Sequence, residues 1–245
     1  MTCRKKVMWV TGGTKGLGLD ITEYFCEKGW HVIASYGSDE DAAASLRIKA
    51  EERRYSLDVI KADVRAMSSL AAIEDRLNII GVVDALINNA GAGLYGNTDI
   101  VSADEFSNII DVNLTGKYRC IKTALPYLEK AEYPSVINIA SKAGTEASPD
   151  LAAYCSGAAG IIMMTKCMAQ DFAGSKIRVN CISPSMIDKG MSDKWFSFQF
   201  MKTYAQRNPT GRLCETKDVI NCIDWLCNRQ SEYVNGANIL ITGGQ

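Results

Sequence analysis

Short apolar runs alternate along this chain with longer segments of helical period. Val7–Val10, His31–Ser35, Val59–Lys61, Ala85–Asn88, Ser135–Ala140, Arg178–Ile182 and Asn238–Ile241 read as strands. Between them, patterns such as Leu17–Lys28, Ala103–Lys130 and Ala152–Ala173 read as helices. Strands separated by helices predict an α/β fold, a doubly wound parallel sheet of Rossmann type covered on both faces. No linker, repeat or low-complexity segment interrupts the alternation, so residues 1–245 read as one three-layer domain.

Composition fits this picture and narrows the function. A chain of 245 residues with 47% hydrophobic residues is normal for a single α/β domain with a large core. Lys and Arg total 27 against 28 Asp and Glu, with no basic block, which argues against nucleic acid as a partner. No apolar run approaches the roughly 18–20 residues of a membrane span. The start runs from charge straight into a strand and a glycine loop, unlike a secretion signal, so a cytoplasmic location is expected. Nine cysteines at irregular positions form no C-x-x-C pair. They read as small buried hydrophobes of a reducing compartment, with no metal site expected.

The stretch from Val10 to Gly18 ends the first strand and opens the first helix. Gly12, Gly16 and Gly18 allow a tight turn and close backbone approach to a pyrophosphate, with the helix N-terminus supplying free N–H groups. A glycine pattern alone is also what an ordinary strand–helix turn looks like. Further motifs agree with the sharper reading.

With Asp63-Val64, the Asn88–Gly91 run, Asn113, Ser141, Tyr154 and Pro184, in this order and spacing, the chain resembles the short-chain dehydrogenases/reductases. The resemblance extends through the terminal Asn235–Gly244. It implies a nicotinamide-dependent oxidoreductase, with residues 1–140 mainly binding cofactor and 141–245 carrying catalysis and substrate. It implies that Gly12, Thr14, Lys15, Gly16, Leu17 and Gly18 cradle the cofactor. Asp63, beside Val64, would hold the adenine, and Asn89, Ala90 and Gly91 would line the adenosine ribose. Ile187, after Pro184, would meet the nicotinamide amide.

Charge bears on which nicotinamide. A site that prefers NAD places a carboxylate at the end of the second strand. Here Ser35, Tyr36, Gly37 and Ser38 occupy that stretch and none is acidic, while Lys15 in the glycine loop could meet a 2′-phosphate. The expectation is NADP(H) rather than NAD(H).

Reducing a carbonyl requires a proton for the oxygen as hydride arrives at carbon. Tyr154 can donate one, but a phenol has a reference pKa near ~10, too high for efficient acid–base work at neutral pH. In the family a lysine four residues later supports the phenolate, holds the nicotinamide ribose and relays protons. In this chain that position is Ala158. The resemblance implies that Ser141 orients the substrate oxygen and Asn113 holds a relay water. Either the lysine has been removed deliberately to trap a complex, or this is a natural variant of weak, altered or absent redox chemistry. The non-enzyme alternative is an NADP(H)-binding scaffold or sensor. Lys189 and Lys142 are the stand-in cations considered, and both read better as solvated side chains.

The segment at about 186–208 is expected to form a lid. Trp195, Phe196, Phe198, Phe200 and Tyr204 make it aromatic, suited to an apolar carbonyl or alcohol substrate or to packing on the body. The resemblance also brings a carrier-protein partner into view. Glu132 and Ser175, where basic residues would read that partner, disfavour it. A homo-oligomer, tetramer or dimer, is expected from the apolar surplus of the two long helices.

Overall fold

The computed structural model describes residues 4–245, without the side chains of 193 and 194. Seven strands form one parallel sheet in the order β3-β2-β1-β4-β5-β6-β7. They are β1 (Val7–Thr11), β2 (His31–Tyr36), β3 (Leu57–Lys61), β4 (Ala85–Asn88), β5 (Ser135–Ile139), β6 (Arg178–Pro184) and β7 (Asn238–Ile241). All seven expected strands are present, with ends shifted by up to two residues. β1 pairs with both β2 and β4, so the winding reverses between β1 and β4. The strands' carboxyl ends open a crevice at that switch point.

Alternate strand residues feed two cores. Trp9, Ile33, Leu86, Val136 and Val179 pack against α3 (Ala71–Ile80), α5 (Gly116–Leu128) and α6 (Ala152–Asp171). Met8, Val10, Val32, Ile87, Ile137 and Ile182 pack against α1 (Gly16–Glu27) and α9 (Thr216–Leu226). Both faces are therefore covered, as the apolar strands demand. The remaining helices are α2 (Glu40–Arg53), α4 (Ala103–Ile110), α7 (Met191–Trp195) and α8 (Phe198–Arg207).

The helix expected over Ala103–Lys130 is not regular throughout. It begins at Ala103 on a Ser102–Glu105 capping box. A π-helical turn at Asp111–Thr115 then separates α4 from α5. Such wide turns re-aim side chains and recur at functional sites. This one carries Asn113.

Of the cysteines, Cys26, Cys120, Cys181, Cys214 and Cys227 are buried, whereas Cys167 is exposed and Cys155 and Cys222 are intermediate. Cys3 lies outside the described residues. His31 donates or accepts at Ser56 Oγ (3.0 Å) and pairs with Asp58 (2.8 Å), a structural role. No helix among the described residues is long and apolar enough to cross a membrane.

Candidate active site at the carboxyl ends of the strands

The loop after β1 is shaped by glycine. Gly12 has φ of +63°, and a Cβ on Gly18 would lie 2.0 Å from the Gly12 carbonyl oxygen. No other side chain fits there. α1 then begins with Lys15 at its N-cap, without side-chain capping and without an acidic residue in the first turn. Its leading N–H groups and positive dipole end are thus presented to the crevice, suited to an anionic group. Asn89 Nδ2 donates to the carbonyls of Thr11 (3.0 Å) and Gly12 (3.1 Å), and Ala90 N donates to Thr11 Oγ1 (2.9 Å). The end of β4 is therefore tied to the glycine loop.

The adenosine side differs from the sequence expectation in detail. Ser35 is buried, and its hydroxyl accepts from Trp9 Nε1 at 2.9 Å. Tyr36 is buried too, its hydroxyl donating to Glu40 at 2.7 Å. Lys15 is engaged by Asp39 at 3.0 Å, and Asp39 also caps α2 by accepting from Ala42 N. The sequence reading stopped at Ser38, one residue short of this carboxylate. Thr14 and Val64 are buried, and Leu17 packs against the α1–α9 core. The Asp63 carboxyl is held below its ordinary range by the Arg65 guanidinium at 2.7 Å. Gly37 and Ser38 are exposed just beyond β2.

Ser141 and Tyr154 come together. Ser141 leaves β5, caps a short 3-10 turn by accepting from Ala143 N, and lies near the Tyr154 phenol on the first turn of α6. Burial pushes the phenol pKa up, and the nearby Ser141 hydroxyl opposes it. Among the described side chains, no cation figures among the causes. One turn further along α6, Ala158 is buried. Asn113 faces the same helix, close enough that a Cβ on Gly157 would lie 3.1 Å from its Cβ. Both ends of the Asn113 amide are taken by the backbone of Ala92, each at 2.8 Å. That side chain thus clamps the segment after Gly91.

The lid folds over this pair. Ile187 pairs with Cys214 in a parallel bridge, just past Pro184 at the end of β6. A Cβ on Gly190 would lie 3.6 Å from the Gly16 Cα, which brings the lid base to the glycine loop. Lys189 pairs with Asp20 of α1 at 2.6 Å, and Lys142 pairs with Glu146 at 3.0 Å. Both cations are thereby committed elsewhere. Trp195 meets Tyr154, and Phe196 packs on Tyr95, Trp195 and Phe200.

One charged residue of this region went unnoticed in the sequence. Lys117 on α5 is buried, and its Nζ donates to the carbonyls of Asn88 (2.7 Å) and Ile139 (2.8 Å), the last residues of β4 and β5. The signal was legible. Lys117 lies four residues after Asn113 and three, four and seven before the buried Cys120, Ile121 and Ala124, on the helix's core stripe. Desolvation lowers its pKa to about 8.

Comparison with known proteins agrees with this geometry. The family model described as enoyl-(acyl carrier protein) reductase matches residues 12–245. The chain is 32% identical to 3beta-hydroxysteroid dehydrogenase 1 of Eggerthella lenta over 98% of its own length and 93% of that protein's. It is 30% identical to the 3-oxoacyl-[acyl-carrier-protein] reductase FabG of Thermotoga maritima, covering 100% of this chain and 99% of the other. A tryptophan variant of actinorhodin polyketide ketoreductase, solved with NADPH, superposes with a TM-score of 0.90 at 25% identity, over 98% of this chain and 97% of that one. With its parallel sheet, glycine loop and Ser141–Tyr154 pair, the chain belongs to the short-chain dehydrogenase/reductase family of oxidoreductases.

Proposed function

We propose that this protein reduces the carbonyl of a small apolar molecule with NADPH, or runs the reverse oxidation, using Tyr154 without the lysine its family places at position 158. The placing of Ser141, at the end of β5, next to Tyr154 on α6, at the carboxyl ends of the strands, is the observation that carries this reading.

The crevice fits the cofactor. The uncapped start of α1 and the glycines at 12, 16 and 18 leave room and donors for a pyrophosphate. Asp63, Asn89, Ala90 and Gly91 would hold the adenosine half, and Pro184 and Ile187 the nicotinamide half. Bound there, the nicotinamide supplies or accepts the hydride. Ser141 orients the substrate oxygen, and Tyr154 gives it a proton on reduction. Asn113 keeps Ala92, and with it the crevice wall, in place. Lys15 is the cation available for a 2′-phosphate, which favours NADP(H), although Asp39 competes for it. The aromatic lid selects an apolar substrate. Glu132, paired with Arg229, offers no basic contact to a carrier protein.

At position 158 a methyl group neither supports a phenolate nor binds a ribose. The raised phenol pKa accords with slow turnover, and it is also the observation that favours cofactor binding without turnover as the second reading. NADPH consumption over a panel of ketones, with Tyr154→Phe as control, separates the two. Carbonyl-dependent consumption that Tyr154→Phe abolishes supports the enzyme. Tight NADPH binding with no consumption supports the second reading. We also propose a homo-oligomer, consistent with exposed Phe106, Tyr118 and Met163 on α4, α5 and α6. A monomeric mass by light scattering at micromolar concentration would refute it.

A further inference from the structure

We propose that Lys117 is a positioning residue that supplies from α5 part of the positive field that Ala158 cannot supply from α6, a proposal that rests on the reading of the site above. Its ammonium bridges the last carbonyls of β4 and β5 at 2.7 and 2.8 Å. The residues that follow are the ones the site uses. Asn89 to Gly91 continue from Asn88, and Ala140 and Ser141 continue from Ile139. Neighbouring groups fix the bridge. Asn88 Nδ2 donates back to the Lys117 carbonyl (3.3 Å) and to Asn138 Oδ1 (2.9 Å), and Asn138 Nδ2 donates to Thr165 on α6 (2.9 Å).

A purely structural staple would not need a charge. Among the described residues, both hydrogen bonds of the ammonium go to neutral carbonyls. The titratable groups acting on it are the thiols of Cys120 on its own helix and Cys181 on β6. Burial keeps both thiols protonated, pushing Cys120 to about 12 and Cys181 to about 11. A buried cation without an anion costs several kcal/mol in general, and a hydrophobe of similar volume would pack the same space without that cost. An uncompensated ammonium leaves its field for negative charge that develops at the strand ends, where the substrate oxygen would sit beside Ser141. Lys117 moves no proton in this account. It holds the two strand ends together and lowers the cost of nearby negative charge.

The test is a double-mutant cycle of Lys117→Met and Ala158→Lys in the full chain. It uses NADPH with acetophenone for turnover and calorimetry for NADPH affinity. Lys117→Met should lower turnover at neutral pH by about tenfold, equivalent to about 1.4 kcal/mol. It should also weaken NADPH binding several-fold while the protein stays folded. Ala158→Lys should restore both, so its gain is larger in the Lys117→Met background than in the parent. Unchanged turnover and affinity in Lys117→Met would overturn the proposal. So would a loss that Ala158→Lys fails to restore, which marks a structural staple. If none of the four forms turns over, the carbonyl-reductase reading fails separately. Restoration of NADPH affinity, or its absence, then decides the role of Lys117 alone.

Discussion

The indole of Trp195 meets the phenol ring of Tyr154 edge-on, with centroids 5.9 Å apart and planes at 89°. Such a T-shaped pair is worth roughly 0.5–1.5 kcal/mol beyond burial. It rests on Gly93, where a Cβ would lie 1.1 Å from the indole Cη2. Trp195 is therefore seated on Tyr154 through a surface that only glycine permits.

Gly93→Ala should push the indole away. Tryptophan emission should shift to the red, and KM for an apolar ketone should rise several-fold with little change in thermal midpoint. Unchanged emission and KM would mean that Trp195 is not seated on Gly93 in solution.

The Lys15–Asp39 pair makes a prediction about cofactor choice. Lys15→Ala should weaken NADPH binding at least several-fold and leave NADH nearly unchanged. Asp39→Asn keeps the cap on α2, since Asn and Asp cap about equally well. It frees Lys15 and removes a negative charge, so NADPH should bind several-fold tighter relative to NADH. Equal effects on the two cofactors, measured by fluorescence titration, would remove both residues from 2′-phosphate recognition.

Stability should fall in alkali, with one opposing contribution. Burial raises the thiols of Cys26, Cys120, Cys214 and Cys227 to about 12 and those of Cys181 and Cys222 to about 11, from 9.0. Between pH 9.0 and those values the unfolded chain has released protons that the folded chain retains, so unfolding is favoured as pH rises. Lys117 has the opposite sign. Its pKa falls from 10.5 to about 8, so between those two values the unfolded chain binds the extra proton and the contribution to stability rises with pH. Thermal midpoints should therefore drop above pH 9, and the parent should gain on Lys117→Met between about pH 8 and 10.5. A constant difference across that window would mean that Lys117 is not a buried cation.

What the sequence made legible was the repeating part. Strand–helix alternation, the Gly12–Gly18 turn and the spacing from Ser141 to Tyr154 are local or periodic, and the structure has all three. What it hid depends on tertiary contacts. Asp39 reaches Lys15 because α2 starts beside the glycine loop, not because of any motif. The π turn at Asp111–Thr115 leaves no mark in an apolar pattern that continues through it. Lys117 lies on the core stripe of its helix, whereas the cations suggested by sequence lie beside Ser141 and in the segment after Pro184. Both candidates there, Lys142 and Lys189, are held by Glu146 and Asp20. Ser35 stands at the position where a carboxylate would select NAD, and the contact of its hydroxyl with Trp9 of the neighbouring strand is again a tertiary one.

Ala158→Lys tests most directly the proposal that this site is a carbonyl reductase held back at position 158. A lysine there lies one helical turn from Tyr154 and favours the phenolate. Lowering the phenol pKa by two units corresponds to about 2.7 kcal/mol. Ketone-dependent NADPH oxidation by Ala158→Lys should exceed that of the parent by at least about a hundredfold, the lower end for a positioned acid–base group. A lysine form no faster than the parent across a broad panel of ketones would contradict the account.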